Sequence, residues 1–463
     1  MQLSHALRLD SAPRLAFVGA GGKTTALFSL ARELLGNSKN DSATVLITAT
    51  THLSRDQLGL ADHHIVIKTT ADISAMAEVL PAGVLLLTAG VSQAERVSGL
   101  DIQLLEEVLM LANVHHVPLL VEADGSRRRP MKAPADHEPA IPPWVEQVVV
   151  VAGLSALGRP LAPEWVHRLE RFASLSGLSP EEAITGDSAV NVLTHPKGGL
   201  KNIPSGARKM VLLNQADTPE RQAAAFRMAD HLLGFYHAVL VTSFASRLTN
   251  ETKHVTLPGT GSDPVMAVHE SVAGIVLAGG ESARFGRQKQ VLDWHGEPIV
   301  RRVARTALEA GLSPVVVVTG AHFEIVDQKL DDLPVVNVHN PNWSEGQSTS
   351  VQAGISALDM KPGAVVFLLA DQPLVTPPVV RSLVESHSRT MAPIVAPLVD
   401  EQRANPVLFD RVTFRDLKTL SGDTGGRAIF PLYPITWIPW HDRGLLLDVD
   451  TPEDYQRLKS EYG

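Results

Sequence analysis

The run Gly274-Ile-Val-Leu-Ala-Gly-Gly-Glu-Ser-Ala-Arg-Phe-Gly-Arg-Gln-Lys289 joins a short apolar strand to a loop with paired glycines and cations. Gly279 and Gly280, flanked by Ala278 and Ser282, let main-chain N–H groups come close to the oxyanions of a triphosphate. Arg284 and Lys289 supply fixed positive charge against the charge that builds up when a phosphoryl group moves. A strand ending in a Gly-rich turn with two solvated cations uses the same residue types. The Arg-x-Gly-x-x-Lys spacing favours nucleotide binding over that reading.

Carboxylates follow at strand ends. The apolar run Ala364–Leu369 ends in Ala370-Asp371-Gln372-Pro373, which places Asp371 at the carboxyl edge of a sheet, where open α/β folds bind ligands. Mg²⁺ takes a few hard oxygens plus phosphate oxygens, so Asp371 is a candidate ligand. Leu445–Asp450 reads as another strand, with Asp448 and Asp450 on one face by its period of two. One of them completes a metal site with Asp371, and the other caps or stays solvated. The polar stretch Asn340 to Ser350 leads into a helix expected over Val351–Leu358. Asn340 and Ser348 are candidates to read a base or ribose, or Ser348 or Ser350 is simply an N-cap. Arg403 and Arg427 are each candidates to anchor a phosphorylated acceptor, and Asp423, in the second Gly-rich turn before Arg427, is a candidate binding residue.

The first half carries different phosphate chemistry. Leu15–Val18 runs into Gly19-Ala-Gly21-Gly22-Lys23-Thr24, a shortened P-loop in which Phe17 holds the place of the usual first glycine. Backbone N–H groups and a helix N-terminus would cradle phosphates there, with Lys23 on β/γ oxygens and Thr24 on Mg²⁺. Leu119–Glu122 ends in acids at Glu122 and Asp124, as a Walker-B-like carboxylate requires. Asn214-Gln-Ala-Asp217 looks like the guanine-reading Asn-Lys-x-Asp of GTPases with Gln for Lys, although a strand-end Asx turn fits it equally. His52, alone at a strand end, is read as structural.

These loops need parallel strands to present them. Seven apolar runs between Leu15 and Val241 and five between Ile275 and Ala396 alternate with helical patterns such as Thr24–Leu35. That spacing predicts two α/β domains with parallel sheets built from βαβ units. Residues 258–270, with Pro258-Gly-Thr-Gly-Ser-Asp-Pro264, read as a linker between domains at 1–257 and 271–463. A length of 463 residues suits several domains, and 44% apolar with 20% charged residues is the composition of a soluble globular chain. The net charge of −9 argues against nucleic acid as a partner. Without cysteine there is no thiolate site or disulfide, and no apolar run reaches membrane-spanning length. A cytoplasmic location is expected.

The motifs Leu277-Ala-Gly-Gly-x-Ser-x-Arg-x-Gly-x-x-Lys289, Asn340-Pro-x-Trp343-x-x-Gly346, Leu369-Ala-Asp371-Gln-Pro373, Arg403-x-Asn-Pro406, Gly422-Asp-x-Gly-x-Arg427 and Asp448-x-Asp-Thr-Pro-Glu-Asp454 together resemble the molybdenum cofactor cytidylyltransferase (MobA/MocA-like) family. The resemblance implies a Rossmann-like, GT-A-like nucleotidyltransferase domain that moves CMP from CTP to molybdopterin with release of pyrophosphate. Gly279 stands where the cytidylyl branch usually has Ala, and Gly-Gly is common in the guanylyl branch, so GTP is the alternative donor. The N-terminal half, through Val18–Thr25, Thr48–His52, Val121–Ser126, Lys132-Ala-Pro134 and Asn214-x-x-Asp217, resembles the YqeC-type accessory family linked to selenium-dependent molybdenum hydroxylases. Its loop is similar to that of Mur-type ligases, which implies a P-loop-like domain binding ATP or GTP. An apo molybdenum hydroxylase is the implied partner. A delivery chaperone with a P-loop switch is the alternative to an enzyme.

Overall fold

The structure, a computed structural model, describes residues 1–40, 42–92, 96–244, 263–281, 285, 288–358 and 362–463. Ser282, Arg284 and the 258–262 part of the expected linker lie outside the described residues. The chain divides into two units, Met1–His269 and Glu270–Gly463.

The first unit is built on strands β1 (Arg14–Gly19), β2 (Thr44–Ala49), β3 (His63–Val66), β4 (Gly83–Thr88), β5 (Leu119–Glu122), β6 (Gln147–Gly153), β7 (Arg208–Asn214), β8 (Ala238–Thr242) and β9 (Val265–Glu270). Their order in one sheet is β9-β8-β7-β6-β1-β5-β2-β4-β3. The ladders from β8 through β3 are all parallel. Val148 to Val151 and Leu85 to Leu87 are buried, because a parallel sheet covered by helices on both faces favours continuous aliphatic runs. Helix α1 (Lys23–Asn37) follows β1 directly and buries Ala26, Leu27, Leu30 and Ala31 at helical spacing. Strand β1 lies between β6 and β5, so its outgoing loop opens in the middle of the sheet's carboxyl edge. Residues 265–270, expected as linker, form β9 instead, with Val265 N–H donating to the Met1 carbonyl at 3.2 Å.

The second unit carries β10 (Val272–Ala278), β11 (Val315–Thr319), β12 (Val336–His339), β13 (Ala364–Leu369), β14 (Ile394–Val399), β15 (Gln402–Arg403), β16 (Val407–Asp410) and β17 (Ile435–Pro439). The sheet order is β12-β11-β10-β13-β16-β14-β15, with β17 paired to β14. Strands β12, β11, β10 and β13 are mutually parallel, whereas β16 is antiparallel to both β13 and β14. The expectation of a purely parallel sheet is therefore corrected to a mixed one. Its apolar core has two faces: Val276, Val317, Val366 and Leu368 on one, and Ile275, Val316, Val365 and Phe367 on the other. That alternation follows from the period of two along each strand.

Candidate functional site

A cleft of about 490 Å³ opens at the carboxyl edge of the second sheet. Its walls include Ala278, Gly279 and Gly280 at the end of β10, Lys289, Ser350, Asp371 and Asp423. Lys289 and Asp371, 82 residues apart, thus face one space. Lys289 Nζ donates to Asp371 Oδ2 and to Asp450 Oδ1, each at 2.6 Å. Burial works against the ammonium, yet Asp371 and then Asp450 outweigh it and hold Lys289 above the usual lysine range.

Residues 443–446 form a 3-10 turn and 447–450 are irregular, so the expected strand over Leu445–Asp450 is absent. A backbone hydrogen bond, Val449 N–H to the Asp371 carbonyl at 3.0 Å, brings this segment alongside the end of β13. The two acids consequently part company. Asp450 turns to Lys289, while Asp448 accepts from Gln372 Nε2 at 2.5 Å. Local burial, then repulsion from Asp371 and Asp450, pushes the Asp448 carboxyl up. Asp450 is fixed in turn by helix α2 (Pro452–Tyr462), whose Asp454 accepts its N–H at 3.2 Å within a Thr451 capping box.

The donor set fits Mg²⁺. Asp371 Oδ1 is buried without a hydrogen-bond partner, and its neighbour Asp450 adds a second hard oxygen. No group of three or more His, Cys, Asp or Glu at metal-binding spacing occurs among the described residues. Two carboxylates plus substrate phosphates are the usual manner of holding that ion.

Other expected residues take different places. The helix expected at 351–358 begins earlier, at Gln347, and runs to Ser356 with Gly346 as its N-cap, so neither Ser348 nor Ser350 caps it. Ser348 is 1% exposed and Asn340 4% exposed. The Asn340 amide donates to Thr349 Oγ1 at 2.8 Å and Ser350 Oγ at 3.1 Å, so it secures the helix start. Asp423 reaches the cleft and accepts from the Gln347 N–H at 3.3 Å. Arg427 donates to Asn405 at 3.2 Å, and Arg403 lies over Trp437 and Phe430 at 5.8 and 6.0 Å; neither cation is among the residues that line the cleft. Gln290 escaped the sequence reading: 2% exposed, it donates to the Gly280 carbonyl at 2.7 Å and fixes the glycine loop. Nothing in a Lys-Gln dipeptide signals that role.

The first unit's loop is built around Gly22, whose φ of 119° and N-cap position start helix α1. A Cβ there would lie 2.3 Å from Asn214 Nδ2, and that amide donates to the Gly21 carbonyl at 2.7 Å. Lys23 opens that helix. It is 3% exposed, donates to the Gly19 carbonyl at 2.7 Å and lies 3.2 Å from Asp124 and 3.9 Å from Glu122, so internal carboxylates draw it inward. Asp124 also accepts from Gly19 N–H and from Lys132. Thr24 donates to Glu122 at 2.9 Å, and burial pushes Glu122 up against the pull of Lys23 and Thr24. Lys132 further bonds Glu138, which Arg168 grips bidentately at 2.6 and 3.0 Å. An interior cavity behind Gly19, Asp124 and Lys132, lined also by the core residues Val150, Phe172 and Leu193, holds about 30 Å³, room for a water. Asp217 is partly exposed and lies at the end of the neighbouring strand pair. His52 is exposed after β2.

A family model described as YqeC protein matches residues 15–170, and one described as MobA-like NTP transferase domain matches residues 274–435. The uncharacterised protein YqeC of Escherichia coli is 32% identical over 212 residues, which cover 45% of this chain and 78% of that protein. The nicotine blue oxidoreductase of Paenarthrobacter nicotinovorans is 32% identical over 197 residues, 40% of this chain and 96% of that protein. The molybdenum cofactor cytidylyltransferase of Escherichia coli is 24% identical over 189 residues, 41% of this chain and 95% of that protein.

Proposed function

Because the chain belongs to the YqeC family in its N-terminal part and to the MobA-like NTP transferases in its C-terminal part, we propose that this nucleotidyltransferase moves CMP from CTP to molybdopterin. The observation that carries the reading is the convergence of Gly279, Gly280, Lys289 and Asp371 on one cleft, with Asp450 2.6 Å from the same ammonium.

The acceptor's terminal phosphate oxygen forms a bond to the α-phosphorus of the donor, the bond from that phosphorus to the β-bridging oxygen breaks, and pyrophosphate departs. Such a transfer needs positioning and charge compensation and no covalent enzyme intermediate. Main-chain N–H groups at Gly279 and Gly280 approach the triphosphate, and Gln290 keeps that loop in place. Lys289 exchanges its carboxylate partners for phosphate oxygens and offsets the charge on the departing pyrophosphate. Mg²⁺ held by Asp371 and Asp450 would add positive charge at the phosphates. Asp423, Arg403 and Arg427 would help hold the acceptor, and Arg284 would reinforce the triphosphate end. GTP is the alternative donor, supported by the tight fit at Gly279, where a Cβ would lie 2.9 Å from Ser350 Oγ.

The N-terminal unit binds ATP or GTP in this reading, supported by the Thr24–Glu122 pair at the start of α1. The whole chain serves maturation of a molybdenum hydroxylase in the cytoplasm; no helix among the described residues is long and apolar enough to cross a membrane. The test is pyrophosphate release from CTP, GTP and ATP with purified cofactor, using the intact protein and Asp371→Ala. CTP-dependent release that disappears in the variant is expected. Unchanged turnover in Asp371→Ala removes the assigned role. Cofactor that co-purifies with an apo-hydroxylase without any pyrophosphate release favours a delivery chaperone.

A further inference from the structure

At the carboxyl edge of the first sheet, Asn214 ends β7 and Asp217 follows three residues later. Asn214 is 3% exposed; its amide donates to the Gly21 carbonyl and its oxygen accepts from Thr242 Oγ1 at 3.3 Å. It ties the glycine loop to the ends of β7 and β8. Three residues of chain reach no more than about 10 Å, so Asp217 lies within a nucleoside's length of that loop.

Asp217 is oriented rather than loose. Its Oδ1 accepts from Ser243 Oγ at 2.6 Å, in the residue just after β8, and Arg221 stands 3.5 Å from Oδ2. Helix capping does not account for it, because Thr218 caps the helix Pro219–Leu232 and accepts from the Arg221 N–H. Gln215 turns inward, where its Oε1 accepts from Ser155 Oγ at 2.6 Å. The Asp217 side chain remains 38% exposed.

A fixed carboxylate takes two parallel N–H donors best. Guanine offers that pair on N1 and the 2-amino group, whereas adenine offers an unprotonated N1 and no 2-amino group. We propose that the N-terminal unit is selective for guanine nucleotides, with Asp217 holding the base and the Gly19–Thr24 loop holding the phosphates. The inference rests on the reading of that loop as a phosphate site and names the base it left open.

The intact protein is titrated calorimetrically with GTP, ATP and xanthosine triphosphate in Mg²⁺, beside Lys23→Met and Asp217→Asn. Binding lost in Lys23→Met, with that variant shown to stay folded by circular dichroism, is binding at the N-terminal loop. Loop-dependent binding at least about tenfold tighter for GTP than for ATP is expected. Asp217→Asn should weaken GTP by a similar factor and tighten xanthosine triphosphate, whose 2-oxo group accepts from the new amide; a misfolded variant cannot produce that gain. Equal loop-dependent affinity for ATP and GTP, unchanged in Asp217→Asn, overturns the base assignment and leaves the phosphate site standing. If Lys23→Met loses no binding to any nucleotide, the phosphate site and the base assignment fall together.

Discussion

Replacing Lys289 by Met removes the ammonium from between two carboxylates. Nζ lies 2.6 Å from Asp371 Oδ2 and 2.6 Å from Asp450 Oδ1, so these oxygens are separated by at most twice that distance. At ~5 Å and an effective dielectric constant of ~20, two carboxylates repel by about 3 kcal/mol. The Asp450 side chain is 48% exposed, and solvent and salt reduce this to about 1 kcal/mol. Two effects of opposite sign follow. In the resting protein the ammonium competes with a divalent ion for the same oxygens, so Lys289→Met should bind Mn²⁺ without nucleotide about three- to tenfold more tightly. In turnover the missing cation no longer balances the triphosphate, and a lost group of that kind costs about 10²–10³ in kcat. Mn²⁺ titration and pyrophosphate release at saturating donor measure the two quantities. A kcat within threefold of the unmodified protein, or a fall in both together, would refute the exchange of partners assigned to Lys289.

Three further outcomes are expected. Burial, then Arg168 and Lys132, hold His167 down at about 4, so between pH 6.5 and 4 the unfolded chain binds more protons than the folded one and stability falls as pH falls through that window. Glu138, held at about 2 by Arg168 and Lys132 against its burial, adds a second loss between about pH 4.5 and 2. His167→Gln should flatten only the upper window, by about 2 kcal/mol after allowance for partial exposure, in urea midpoints of the N-terminal transition at pH 7, 5 and 4. Asp410→Ala leaves His387 without its 2.7 Å partner in a site where the two side chains are 0% and 4% exposed, and should cost the C-terminal transition about 3 kcal/mol; a loss under about 1 kcal/mol would contradict a structural pair. Gly22→Ala forces a left-handed backbone and crowds Asn214, so it should weaken N-terminal nucleotide binding by about tenfold or more in calorimetry while the unit still unfolds cooperatively.

Buried parallel strands were plain in the chain because burial on both faces demands unbroken aliphatic runs such as Val148–Val151 and Val315–Val318. Edge strands gave no such signal: His63 and Val66 are exposed, and Val265–Glu270 adjoins the Gly/Pro stretch at 258–264 and ends in polar His269 and Glu270, so it resembles a linker. The direction of Val407–Asp410 was not legible either, since reversing a strand leaves its apolar content unchanged. At the site, that Lys289 and Asp371 share one cleft was legible from residue type and spacing. Which of Asp448 and Asp450 met Lys289 depended on a 3-10 turn over Arg443–Leu446 that breaks strand periodicity. The inward ion pairs of Lys23 were not legible, because Asp124 and Glu122 reach its charge from strand ends that neighbour it only in the folded sheet.

The reversed strand carries an evolutionary implication. Val407 pairs with Phe367 and Asp410 with Ala364, so the chain enters β16 at the rim where β13 delivers Asp371. Arg403 and Asn405 ride on the segment that leads into it, between Val399 and Val407. Residues can be inserted or deleted in that segment without slipping one rung of the ladder beneath Asp371. On the proposed reading, recipient preference can therefore diversify among descendants of this scaffold while the residues assigned to the donor are inherited intact.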